Sequence, residues 1–178
     1  MPMKNQDLHG NAPDKSTVAL ILIDVINDLD FPEGDGMFHE ALTMARQTAA
    51  LSQRARKEKV PVIYVNDNFG RWRSDFNAQV EHCLQCGIRG RSIVELLRPE
   101  LDDYFVLKPK HSGFFSTTLD TLLQYLDVNT VVLTGIAANI CVLFTANDAY
   151  MRDFRVIVPS DCVASLSGDQ VFARIKKQ

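Results

Sequence analysis

The sequence predicts an α/β protein, a doubly wound three-layer sandwich built on a mostly parallel sheet. Two observations predict it. Short, near-continuous apolar runs recur at 18–26, 61–66, 104–107 and 130–133, the pattern of strands buried on both faces. Between them lie stretches of helical period, and this alternation of strand and helix is what a parallel sheet with crossover helices requires.

The elements follow in order. The first strand is Val18–Ile26. A breaker-rich loop, 31–36, comes next, and then a helix from about Phe38 to Glu58. The second strand is Pro61–Asn66. An irregular stretch, 67–79, follows its carboxyl end and holds the single Trp, Trp72, as a pocket wall would. Helical segments near 79–84 and 92–97 lead to a third strand at Tyr104–Leu107. Residues 117–126 are amphipathic, with Leu119, Leu122, Leu123 and Leu126 on one face. The fourth strand is Thr130–Leu133. A tight turn and a helix to about Arg152 come next, then a fifth strand at Arg155–Pro159 and a short terminal helix at 169–177.

Composition bounds the function. The chain has 178 residues, 46% of them hydrophobic, which suits one domain with a sizeable core. Residues 1–16 read as a flexible arm and 17–178 as that domain. A net charge of −3 gives no electrostatic reason to expect nucleic acid. No run approaches the roughly 20 apolar residues of a membrane span. The polar first 16 residues carry no signal-peptide core. The four cysteines therefore read as reduced thiols of a cytoplasmic protein.

Three residues carry chemistry. Cys141 sits near where a helix begins after the fourth strand. There the positive end of the helix dipole should lower its pKa and favour the thiolate. Exposed N–H groups at the same turn can hold an oxyanion. A lone helical cysteine is more often a small buried hydrophobe, so two further features are needed. Asp24 lies deep in the first apolar run, where a carboxylate needs a partner or a place at the strand's end. Its bland alternative, capping the next turn, could equally fall to Asn27 or Asp28. Lys108 ends the third run, although Lys110 and His111 follow and chemistry alone does not choose among the three. Parallel strands bring such ends to one edge. There an ammonium favours both carboxylate and thiolate, and the carboxylate can carry the thiol proton to a leaving amine.

On these residues the chain resembles the isochorismatase-like cysteine hydrolase superfamily, which includes nicotinamidases, N-carbamoylsarcosine amidases and ureidoacrylate hydrolases. Segment 20–29 is similar to the motif with the catalytic Asp. Segment 106–119 is similar to that with the catalytic Lys and the turn after it, and 134–142 to the nucleophile motif. The resemblance runs from about Thr17 to Ser165, with the segments in the family's order. It implies the isochorismatase-like, Rossmann-like sandwich, with Asp24 as general acid/base, Lys108 as the cation and Cys141 as the nucleophile. The backbone N–H groups of Ala137 and Cys141 would form the oxyanion hole, and a non-proline cis peptide would fall between Ile136 and Ala137. Phe31, Asp67, Trp72, His111, Phe114, Phe115 and Ile136 are the expected substrate-binding residues.

Departures from the family narrow the chemistry. Nicotinamidases hold a metal with an Asp-x-His pair and a further His after the second strand. Here Asp67 has no His close behind it, so no metal and no cofactor are expected. Isochorismatases proper act on a vinyl ether and generally lack the cysteine, so Cys141 points to an amide, ureide or carbamoyl substrate. The expected reaction is C–N cleavage through a Cys141 thioester, with Asp24 then acting as base for water. The alternative is a small-molecule binder or scaffold on the same fold. The expected partners are a small-molecule substrate and further copies of the chain, as a dimer or tetramer. Elsewhere, His82, Cys83 and Cys86 lack the second ligand pair of a zinc site and the strand-to-helix setting of a redox motif. Cys162 reads as buried and inert.

Overall fold

The computed structural model describes residues 15–69 and 75–165. Six strands are seen among them: β1 (Val18–Ile23), β2 (Val62–Asp67), β3 (Tyr104–Lys108), β4 (Thr130–Ile136), β5 (Arg155–Ile157) and β6 (Val163–Ala164). They form one sheet in the order β3-β2-β1-β4-β5, and every pairing is parallel. The two-residue β6 pairs with Gly135 and Ile136, beyond the stretch of β4 that β5 covers. The sequence showed no sign of β6, because two residues carry no period.

The central strand β1 shows why the sheet has helices on both sides. Leu20 and Leu22 face one core, with Met37, Ala41, Met44 and Ala45 of α1 (Gly34–Lys57). Ala19, Ile21 and Ile23 face the other, with Leu119 and Leu123 of α4 (Leu119–Tyr125) and Ala149 of α5 (Leu143–Tyr150). Side chains alternate across a strand, so an unbroken apolar run is the signature of a strand with both faces covered. Each fully buried Leu or Ile stabilises by roughly 1.5–3 kcal/mol, so the two cores dominate the holding of the sheet.

Boundaries differ from the sequence reading where polar or glycine residues masked the period. Helix α1 begins at Gly34, four residues earlier than expected, because Glu33 and two glycines read as loop. Helix α2 (Phe76–Cys83) starts at Phe76, where Asp75 caps it by accepting from the N–H groups of Asn77 and Ala78 at 2.7 and 3.2 Å. Helix α3 is Arg91–Leu96. Of the residues expected in the 1–16 arm, 1–14 lie outside the described residues, and 15 and 16 belong with the domain. Ser16 N–H donates to Leu126 C=O, and Lys15 pairs with Asp127, so both residues are tied to the domain. The expected terminal helix at 169–177 lies outside the described residues. No helix among the described residues is long and apolar enough to cross a membrane.

Register sets the site. Ile23 lies opposite both Val65 and Gly135, and Asp67 lies opposite Lys108. The carboxyl ends of β3, β2, β1 and β4 therefore meet at one edge of the sheet, where open α/β sheets bind their ligands.

Candidate active site

Asp24 is the first residue past β1. Its φ of 52° puts it in the left-handed region, which Asp tolerates better than most residues. The chain turns there, and the carboxylate meets the end of the neighbouring strands. Asp24 Oδ1 accepts the Asp67 N–H at 2.7 Å, and Oδ2 lies 2.8 Å from Lys108 Nζ. Lys108 is fully buried. Its ammonium also lies 3.8 Å from an Asp67 oxygen and donates to Cys141 Sγ at 3.6 Å. The structure thus brings Asp24, Lys108 and Cys141 together, and it selects Lys108 over Lys110 as the cation beside the carboxylate and the sulfur.

A buried lysine needs this surrounding. Burial alone lowers its pKa, but the Asp24 carboxylate, with Cys141 and Asp67, outweighs it and the net direction is up. Lys108 therefore stays charged. The cysteine differs from the sequence expectation. Burial pushes the Cys141 thiol up, the Asp24 carboxylate adds to this, and Lys108 offsets only part. Cys141 moreover lies within a π-helical turn, Ala138–Val142, rather than at the first turn of a regular α-helix. The dipole argument for a resting thiolate therefore fails here. A thiolate would leave a second buried anion beside Asp24 with only one ammonium for both. The upward shift favours the neutral thiol beside the Asp24–Lys108 ion pair.

The cavity over these groups has a volume of about 400 Å³. Of the expected residues, Asp24, Phe31, Asp67, His111, Ile136, Ala137 and Cys141 line it. The Ile136–Ala137 peptide is cis. Two expectations need correction. Phe114 is buried in the core on the α5 side, with its ring 5.9 Å from Phe154 and the Arg152 guanidinium over its face, so it is not a cavity wall. Phe115 is about half exposed and also lies outside the lining. The turn after Lys108 sends the first of these rings inward and the second toward solvent. Trp72 lies outside the described residues.

The sequence reading missed much of one wall, which includes Asn27, Asp28, Asp30, Met37, Phe69 and Ile140. The signal was the density of short polar side chains straight after β1. Asn27 and Asp28 cap the N–H groups of Leu29 and Asp30, the turn-capping role that was the bland alternative for Asp24. Buried Asn66 fixes this wall by exchanging hydrogen bonds with both backbone groups of Ile26, at 3.1 and 2.8 Å. His82 of α2 pairs with Asp28 at 3.1 Å, which gives it a structural partner. Cys83 and Cys86 are both free thiols, Cys83 buried and Cys86 exposed, and Cys162 is buried. Among the described residues no group of three or more His, Cys, Asp or Glu could hold a metal ion, and Asp67 lies against Lys108 instead. The described residues around Asp67 do not fit a nicotinamidase-type metal.

The chain is similar to known proteins over most of its length. The isochorismatase domain family matches residues 18–177. The isochorismatase family protein YaaI of Bacillus subtilis (strain 168) is 41% identical over 155 residues, 87% of this chain and 84% of that protein. The ureidoacrylate amidohydrolase RutB of Methylobacterium radiotolerans is 30% identical over 182 aligned positions, 84% of this chain and 68% of that protein. The crystal structure of N-carbamoylsarcosine amidase from Thermoplasma acidophilum superposes with a TM-score of 0.65 at 30% identity, covering 91% of this chain and 94% of that one.

Proposed function

The chain belongs to the isochorismatase family of hydrolases, and on that premise we propose that it is a cysteine hydrolase cleaving a C–N bond of a small amide, ureide or carbamoyl compound. The observation that carries this is the buried Lys108 ammonium, held 2.8 Å from Asp24 and 3.6 Å from Cys141 Sγ, two residues that line a cavity. Two similar proteins, the ureidoacrylate amidohydrolase and the N-carbamoylsarcosine amidase, are named for C–N substrates.

In this reading Asp24 takes the proton from the Cys141 thiol as sulfur attacks the carbonyl carbon. Lys108 keeps the local charge balanced while the proton moves. The carbonyl oxygen, now an oxyanion, is held by the backbone N–H groups of Ala137 and Cys141. Asp24 then gives its proton to the leaving nitrogen, the C–N bond breaks and a Cys141 thioester remains. Water releases the acid product and restores the thiol. No step uses a metal.

The test is a screen of small amides, ureides and carbamoyl compounds for ammonia or amine release, repeated with Cys141→Ala. We expect release by the wild type and none by the variant, with the fold unchanged. A chelator should leave the activity intact. A variant as active as the wild type, or binding of one of these compounds without turnover by either protein, would favour the small-molecule-binding alternative.

A further inference from the structure

Helix α5 starts two residues after Cys141 and buries only one of its faces. Thr145 and Ala149 are buried in the core, whereas Leu143, Phe144, Asn147, Tyr150 and, at the C-cap, Met151 are exposed. At 3.6 residues per turn these five positions fall within about 120° of the helix surface, so they form one stripe. None of them is charged. Asp148 and Arg152, which pair with each other, lie to one side of it. Tyr150 is 76% and Met151 70% exposed, and Leu143 and Phe144 are about half exposed. Single apolar residues on a surface need no explanation, but a continuous stripe does.

This face is continuous with the candidate site. The Phe144 ring rests against that of His111, with centroids 5.5 Å apart. His111 lines the cavity, and its Nδ1 lies 3.7 Å from Cys141 Sγ. The loop carrying His111 is fastened to α5, since Ser112 donates to Asp148 and Gly113 N–H donates to Thr145 Oγ1 at 3.0 Å.

Two properties of the stripe select its occupant. The first is area. A bare side chain of this size presents on the order of 200 Å², so the four apolar ones leave roughly 500 Å² uncovered. About 60% of an interface is apolar, so this amount suits one side of a standard interface, roughly 800 Å² per partner. The second is symmetry. Leu143 and Phe144 lie four and three residues before Asn147, and Tyr150 and Met151 lie three and four after it. A twofold axis at Asn147 therefore sets Leu143 and Phe144 of one copy against the same stripe's other end in an antiparallel second copy, an isologous contact. At the axis the two Asn147 amides can each donate and accept.

We propose that α5 is the interface of a homodimer, packed antiparallel against α5 of a second copy about a twofold axis at Asn147. Phe144 then stands between His111 at the cavity and the partner copy. Association through this face does not depend on the chemistry proposed for Cys141.

The experiment is sedimentation of wild type, Tyr150→Lys, Met151→Lys and Leu101→Lys over a dilution series. At roughly 50 μM, well above the micromolar limit for interfaces of this size, the wild type should show twice the 20.0 kDa mass of one chain. Tyr150→Lys and Met151→Lys should each raise the dimer dissociation constant roughly 100-fold or more, because each change acts twice across the axis. Leu101 is fully exposed before β3, the opposite edge strand from β5, and its variant should associate as the wild type does. In a Cys86→Ser background, Asn147→Cys should become a covalent dimer under copper phenanthroline, since a residue on the axis meets its own copy; Leu101→Cys should not. A wild type that stays at the mass of one chain would overturn the proposal and leave the face to another partner. A dimer that both α5 variants leave intact, or in which position 147 does not cross-link, would overturn it equally.

Discussion

Lys108 and Asp24 form a buried ion pair, and such pairs are costly to half-remove. Taking away one partner strands the other charge in the core, which typically costs 3–5 kcal/mol, whereas removing both costs much less. Lys108→Met should therefore destabilise the protein by about 3 kcal/mol or more, and Asp24→Asn/Lys108→Met should recover a large part of that. Denaturant unfolding of the two single variants and the double closes the cycle. Simple additivity would mean that the pair is not coupled in the way its 2.8 Å separation requires. The cysteine at the other side of the ammonium shows how far one residue's chemistry escapes a sequence. Its place after the fourth strand was legible. Its protonation was not, because that depends on Asp24, more than a hundred residues away, and on burial that only the fold creates. Thiol alkylation checks this. Exposed Cys86 should react with iodoacetamide ahead of Cys141, whose rate should keep rising with pH beyond the ordinary thiol range.

At the scale of elements, β4 and the turn after it decide the nucleophile's position. Gly135 has φ of 109°, and a Cβ there would lie 2.1 Å from the Ile23 carbonyl oxygen on β1. Neither backbone can yield, since Ile23 and Gly135 are register partners in the centre of the sheet. Gly135→Ala should cost roughly 3 kcal/mol or more, by combining a forced φ with a backbone clash. Gly36, in the first turn of α1, has nothing within 4 Å of a built Cβ. Gly36→Ala should leave stability unchanged or raise it by up to about 1 kcal/mol. Thermal unfolding of the two variants should move in opposite directions or not at all for the second; equal losses would contradict the packing described. These elements also show what a sequence reveals. Strands β1, β2 and β4 were legible because both faces are covered, so each carries an unbroken apolar run, at 18–23, 62–65 and 131–133. The π-helical turn at 138–142 was not, since its residues suit an ordinary helix. Nor was the approach of His111 to Cys141, which depends on Thr145 and Ser112 bonds between distant segments. Phe114 and Phe115 are adjacent and alike, and only packing decides that one is core and the other exposed.

For the whole molecule, four buried groups shift in the same direction. The pKa values of Lys108, Tyr64, Cys83 and Cys141 are all raised in the folded protein. Cys83 is pushed up to about 12 by burial, with Asp28 adding to it. Tyr64 is raised chiefly by burial, and its hydroxyl donates to the Leu97 carbonyl at 2.9 Å. In each case the native state holds a proton that the unfolded chain releases at lower pH. Stability from these groups is therefore complete below their unfolded values and is lost as pH rises toward the folded ones. The thiols set the lower edge of the window, since an unfolded Cys titrates near 8.5. Thermal stability measured in a reductant should thus fall progressively from about pH 9 upward, well before Lys108 loses its charge. Cys83→Ala should flatten the slope between about pH 9 and 12, even though it lowers stability at neutral pH by thinning the core at the last residue of α2. A melting temperature independent of pH across that range, or a slope that the variant leaves untouched, would show that these protons are not held by the fold.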